Sequence, residues 1–250
     1  MAHTLVVANW KMNPADAASA AQIAQGIVRR AKGRARIVIC PPFIYMSVVA
    51  KAIGRSKHVF LGAQDAFAGK GAAHTGEVDV GMVKHAGAKY VIVGHSERRA
   101  AGETDETVRE KLFAVLKAGV TAILCIGEKE RDLHGGYFSD IKRELEHAVR
   151  GLPKKFLPKL VVAYEPVWAI GASSAMQSAD VHETAIFIRR VANDIFGKTA
   201  AEKIRILYGG SVTKQNARDI VEQGNVDGLL VGRESLKANE FAELVNELGK

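Results

Sequence analysis

The chain has 250 residues, 48% of them hydrophobic and 25% charged, with a formal net charge of +8 at pH 7; such a chain buries a substantial core, as one large domain or two small ones, and has none of the character of a disordered tail. No run approaches the roughly 18 apolar residues of a membrane span, and the opening MAHTLVVANW lacks the basic-then-apolar order of a secretory leader, so a cytosolic protein is expected. The basic excess permits a nucleic acid or an acidic surface as partner, yet its densest spots are pairs such as Arg29-Arg30, Arg98-Arg99 and Lys154-Lys155 without interleaved aromatics, which favours a solvated surface and the expectation of neither nucleic acid nor membrane.

In chain order, short β-branched runs alternate eight times with longer stretches of helical period. The strand-like runs are Thr4 to Trp10, Ala35 to Cys40, His58 to Gln64, Lys89 to Val93, Thr121 to Cys125, Leu160 to Glu165, Ile204 to Tyr208 and Val226 to Val231. Between the fourth and fifth, Val108, Leu112 and Val115 fall on one helix face, with Thr104 and Asp105 as cap candidates and Gly119 just past the end. Val181, Ala185, Ile188, Val191 and Ile195 form a second stripe, entered through Asp180 with Glu183 three residues on. Phe241, Leu244, Val245 and Leu248 form the last. The only two cysteines, Cys40 and Cys125, each end an apolar run and read as buried free thiols.

Eight βα units imply parallel strands with helical crossovers, an α/β protein, and 250 residues is the length expected when such a sheet closes into a (β/α)8 barrel as a single domain over residues 1–250. An open doubly wound sheet is the alternative, disfavoured because ANWKMN rather than a G-x-G-x-x-G follows the first strand. In a barrel, residues just past the C-terminal strand ends converge on one face. That gathers Asn9 and Lys11 after the first strand, His95 after the fourth, Glu165 after the sixth, Gly209-Gly210-Ser211 after the seventh and Gly232 after the eighth. Each has an ordinary explanation as well: His95 as the cap of the next helix, Lys11 as a surface ammonium, Asn9 as the closure of a turn, Glu165 as a solvated strand end.

The segments Asn9-Trp10-Lys11-Met12-Asn13, YVIVGHSERR from Tyr90 to Arg99, AYEPVWAIG from Ala163 to Gly171, and YGGSV from Tyr208 to Val212 closely resemble the triosephosphate isomerase family, in its order and spacing across nearly the whole chain. The resemblance implies a TIM barrel that isomerises a triose phosphate without metal or organic cofactor. It assigns Glu165 as the base, His95 as the neutral electrophile, and Lys11 and Asn9 to the charge and orientation at the reacting oxygens. Phosphate would be held at Gly171, Ser211, Gly232 and Arg233, with Ser96 and Glu97 in supporting positions and Ile170 and Leu230 as an apolar clamp over the base. Closure of the loop after Ile170 is expected to raise the pKa of Glu165.

Two departures from the family pattern stand out: Ala172-Ser173-Ser174 replaces Thr-Gly-Lys after Gly171, and Arg233 replaces a second glycine after the eighth strand. They give a non-catalytic phospho-ligand-binding protein as the competing reading, which the intact Asn9, Lys11, His95 and Glu165 oppose. The long connection from Asp65 to Asp79 resembles the family's dimer loop, with Thr75 reaching the other subunit, and implies a homodimer.

Overall fold

The computed structural model describes residues 3–69, 73–132, 134–170 and 176–248. Eight parallel strands close into a barrel in sequence order: β1 (Leu5–Asn9), β2 (Arg36–Cys40), β3 (Val59–Ala63), β4 (Tyr90–Val93), β5 (Thr121–Ile126), β6 (Leu160–Tyr164), β7 (Arg205–Tyr208) and β8 (Gly228–Val231). Closure is carried by β8 pairing with β1, with Leu5 opposite Gly228 and Ala8 opposite Val231. The open-sheet alternative is thereby removed. Each strand lies within a residue or two of its β-branched run.

The helices are α1 (Ala17–Arg30), α2 (Met46–Ile53), α3 (Val80–His85), α4 (Ser96–Ala100), α5 (Asp105–Lys117), α6 (Tyr137–Val149), α7 (Ser178–Phe196), α8 (Lys198–Ala201), α9 (Ala217–Glu222) and α10 (Ala238–Leu248). The Thr104 hydroxyl caps α5 by accepting from the Thr107 amide at 3.2 Å, as the sequence suggests. At α7 the outcome differs. The helix starts at Ser178 with Gln177 in the cap position, and Asp180 lies inside the first turn, its amide donating to the Gln177 carbonyl. A carboxylate in the first turn is favourable through the helix dipole alone, which is why Asp180 mimics a cap in the sequence.

Strand periodicity divides the buried residues into two layers. Val6, Ala8, Val91, Val93, Val162 and Tyr164 face outward and pack against the helices. Leu5, Val7, Tyr90, Ile92, Ile123, Cys125, Val161, Ala163, Leu207 and Leu230 fill the barrel interior. The same parity carries on past the strand ends: Asn9 continues the inward set of β1, and Glu165 that of β6. Inward parity at the C-terminal rim directs a side chain into the mouth of the barrel.

Candidate active site

Glu165 is 3% exposed, and its room is made by the neighbouring strands. At the same level β5 and β7 continue into Gly127 and Gly209. A Cβ at Gly127 would collide with the Glu165 carbonyl, and one at Gly209 would lie 2.9 Å from Glu165 Cγ. The Glu165 amide donates to the Ile126 carbonyl at 2.8 Å, which holds the residue in strand register.

His95 is the N-cap of α4, with Nδ1 accepting from the Glu97 amide at 3.2 Å. Its Nε2 lies 3.2 Å from Glu165 Oε1, and the Ser96 amide donates to Glu165 Oε2 at 3.4 Å. Burial disfavours the imidazolium and the facing carboxylate favours it, so the pair raises the His95 pKa on balance. The cap bond acts in the opposite sense: a proton on Nδ1 would point at the Glu97 N–H and break it. The ring with its cap intact is the neutral tautomer carrying hydrogen on Nε2. Burial pushes the Glu165 pKa up, but His95, the Ser96 amide and the Cys125 thiol outweigh it and hold the carboxyl below its ordinary value.

Lys11 follows β1 in a left-handed conformation, φ 52°, rare for a residue with a side chain. Three contacts impose it. The Asn9 side-chain oxygen accepts from the Lys11 amide at 3.1 Å, the Gln64 side-chain amide donates to the Lys11 carbonyl at 2.8 Å, and Lys11 Nζ meets Glu97 Oε1 at 2.6 Å. Sequence reasoning missed Gln64. Its signal was slight, a single amide at the end of the third strand-like run.

One cavity of about 470 Å³ at the barrel mouth is lined by Asn9, Lys11, His95, Glu165, Ile170, Ser211, Leu230, Gly232 and Arg233, together with Gly209, Gly210, Thr213 and Asn216. Ser96 and Glu97 stand behind His95 and Lys11 and do not line it. Gly171 and the altered Ala172-Ser173-Ser174 lie outside the described residues. Gly232 caps the short 3-10 turn Arg233–Leu236. The first amides of such a turn have no partner within it. Arg233 is not among the residues of positive φ, so the position has no need of glycine. Ser211 is tied to the stem of the connection that follows β6, its hydroxyl donating to the Ala169 carbonyl at 3.0 Å.

That stem has a buried anchor that the sequence did not reveal. Glu128, 0% exposed, accepts from the Tyr164 hydroxyl at 2.9 Å and from the Trp168 indole at 2.8 Å through the same oxygen, with Arg131 Nε at 3.4 Å. In the sequence Glu128 is one of several charges in EKERD and looks solvated.

A buried carboxylate facing an imidazole, with an ammonium beside them and, across the same cavity, a turn whose first amides have no partner within it, defines a (β/α)8-barrel enzyme equipped for acid–base chemistry on a small anionic substrate. The triosephosphate isomerase family model matches residues 4–248. Proteins named triosephosphate isomerase are similar over almost their whole length: that of Geobacter metallireducens is 41% identical over 246 residues, covering 97% of each chain. That of Moorella thermoacetica is 40% identical over 250 residues, covering 98% of this chain and 99% of its own. That of Thermoanaerobacter sp. is 36% identical over 249 residues, covering 98% and 100%. The chain belongs to the triosephosphate isomerase family and is an isomerase.

Proposed function

We propose that the chain interconverts dihydroxyacetone phosphate and D-glyceraldehyde 3-phosphate through an enediolate, as a cytoplasmic homodimer serving glycolysis and gluconeogenesis. Glu165 takes the proton from the carbon next to the carbonyl and returns it to the neighbouring carbon. His95 donates from Nε2 to the carbonyl oxygen and moves protons between the two oxygens, while Lys11, oriented through Asn9, stabilises the negative charge that develops there. The phosphate is held by amides of Gly171, Ser211, Gly232 and Arg233, and Ile170 and Leu230 exclude water over the base.

The observation that carries this reading is the 3.2 Å contact between His95 Nε2 and Glu165 Oε1, made while Nδ1 is occupied by the Glu97 amide. One N–H cannot serve the carboxylate and a substrate carbonyl together. When the substrate oxygen replaces the carboxylate as acceptor, Glu165 loses the hydrogen bond of His95, the largest influence lowering its pKa, while the Ser96 amide and the Cys125 thiol remain and burial still raises it. Substrate binding thereby converts a stabilised carboxylate into a stronger base. The expected rise in basicity comes from exchanging a hydrogen-bond partner as well as from closure of the loop.

Turnover of glyceraldehyde 3-phosphate, measured in a coupled assay, tests the reading. Glu165→Asp retracts the carboxylate by about 1 Å and is expected to lower kcat about a hundredfold or more. Undiminished kcat in the Glu165→Asp variant would assign the base elsewhere.

A further inference from the structure

The end of the barrel opposite the cavity carries an unusual distribution of charge. There the helices end and the chain re-enters the strands, so all these connections share one face. The segments 29–36, 54–58, 84–89, 117–121 and 150–159 contain lysine or arginine and no aspartate or glutamate. Every lysine and arginine in them is exposed. They precede β2 to β6, five successive staves of the closed barrel, and so form a continuous crescent around more than half of this face.

Among the described residues, none of these cations forms an ion pair, whereas Lys111, Arg143, Lys214, Arg218 and Lys237 elsewhere on the molecule all do. Beyond the crescent Glu222 and Asp227 are paired with Arg218 and Arg189. The helix ends account for part of the pattern. Lys84 Nζ donates to the Ala118 carbonyl at 2.7 Å and Lys159 Nζ to the Gly119 carbonyl at 2.5 Å, both at the end of α5. Five helix C-termini at about half a negative charge each leave most of the crescent's positive charge unbalanced. At one end of it Arg29, Arg30 and Lys32 share a recess of about 450 Å³ with a single carboxylate, Glu243, which is paired with Lys214, and the backbone there is fixed by Asn246, which bridges the Lys32 amide and the Arg30 carbonyl.

We propose that this crescent docks the enzyme on an anionic phospholipid surface, with the active-site mouth turned away from the bilayer and open to substrate. A plane of headgroups meets all five segments at once, whereas a nucleic acid follows a linear track. The phenylalanines here already stack with cations, Arg36 over Phe60 and Lys117 over Phe113, which leaves them poorly placed to receive bases. Among the described residues these segments expose no large hydrophobic side chain, so attachment is electrostatic and reversible. The separation of these cations in the linear sequence conceals the surface that the fold assembles.

Sedimentation of the full chain with phosphatidylcholine vesicles, with and without phosphatidylglycerol, tests the proposal. The protein is expected to pellet only with the anionic vesicles, and to be released at about 1 M salt, where the screening length falls to about 3 Å. Combined Arg34→Gln, Lys57→Gln and Lys154→Gln substitution is expected to lower partitioning about a hundredfold, at roughly fivefold per charge. Isomerase turnover, which reports that the variant is folded, stays unchanged. Equal binding to both vesicle types, wild-type partitioning by the active triple variant, or tighter binding to a short DNA duplex than to the anionic vesicles at the same salt would overturn the assignment.

Discussion

At the scale of single residues, the site is built from ordinary local bonds that acquire chemical consequences from where they stand. His95 does cap a helix, and the cap bond is what reserves its proton for Nε2. Asn9 does close a turn, and that turn holds Lys11 at φ 52°. The bonds that account for these side chains in ordinary terms are the same ones that the proposed chemistry uses. Glu165 extends this to stability. Its folded-state pKa lies below the ordinary 4.5, so ionisation favours the fold. That contribution is complete above the unfolded value and is lost as the pH falls through the lower folded one. Glu165→Gln removes the titration, and the urea midpoint of the variant is expected to fall less steeply than that of the native protein as the pH is lowered below the ordinary carboxyl value. Parallel curves for the two proteins would mean that Glu165 titrates alike in the folded and unfolded chain.

At the scale of elements, the eight strands were legible because strands buried on both faces are written as uninterrupted β-branched runs. The rim of the barrel was legible only where a residue type is unusual at a strand end, as with Glu165. Gln64 and Glu128 escaped because their meaning lies in partners distant in sequence: Gln64 donates to the carbonyls of Lys11 and Cys40, and Glu128 collects Tyr164, Trp168 and Arg131. Glu128 joins the end of β5 to the stem of the loop that follows β6. Glu128→Ala leaves a buried hydroxyl and an indole N–H without their acceptor and takes from Arg131 the carboxylate beside its Nε, and is expected to destabilise the fold by about 3 kcal/mol or more. In a thermal melt that is a fall of roughly 6 to 12 °C for a domain of this size. Glu128→Gln keeps an acceptor oxygen and is expected to lose less than half as much. Equal losses would show that the charge, rather than the hydrogen bonds, secures the stem.

At the scale of the whole molecule, the mouth end of the barrel carries exposed apolar groups on successive connections. Met12 after β1 is 93% exposed and Ile44 after β2 is 77% exposed, with Phe43 beside it, while the connection from Asp65 to Asp79 follows β3. Large apolar side chains this exposed on neighbouring connections suit an interface, and a second copy of the chain is the partner that the dimer-loop resemblance supplies. Met12 adjoins Lys11, whose backbone is held from within the barrel by Asn9 and Gln64. In the proposed homodimer the partner would hold the outer side of the same loop, so assembly and chemistry become linked. Equilibrium sedimentation is expected to give a dimer at micromolar concentration, and Ile44→Glu, which buries a charge at that contact, a monomer. Turnover per chain should fall with the loss of the dimer because Lys11 then has support on one side only. An Ile44→Glu monomer with native turnover would separate the two and leave the Lys11 turn self-sufficient.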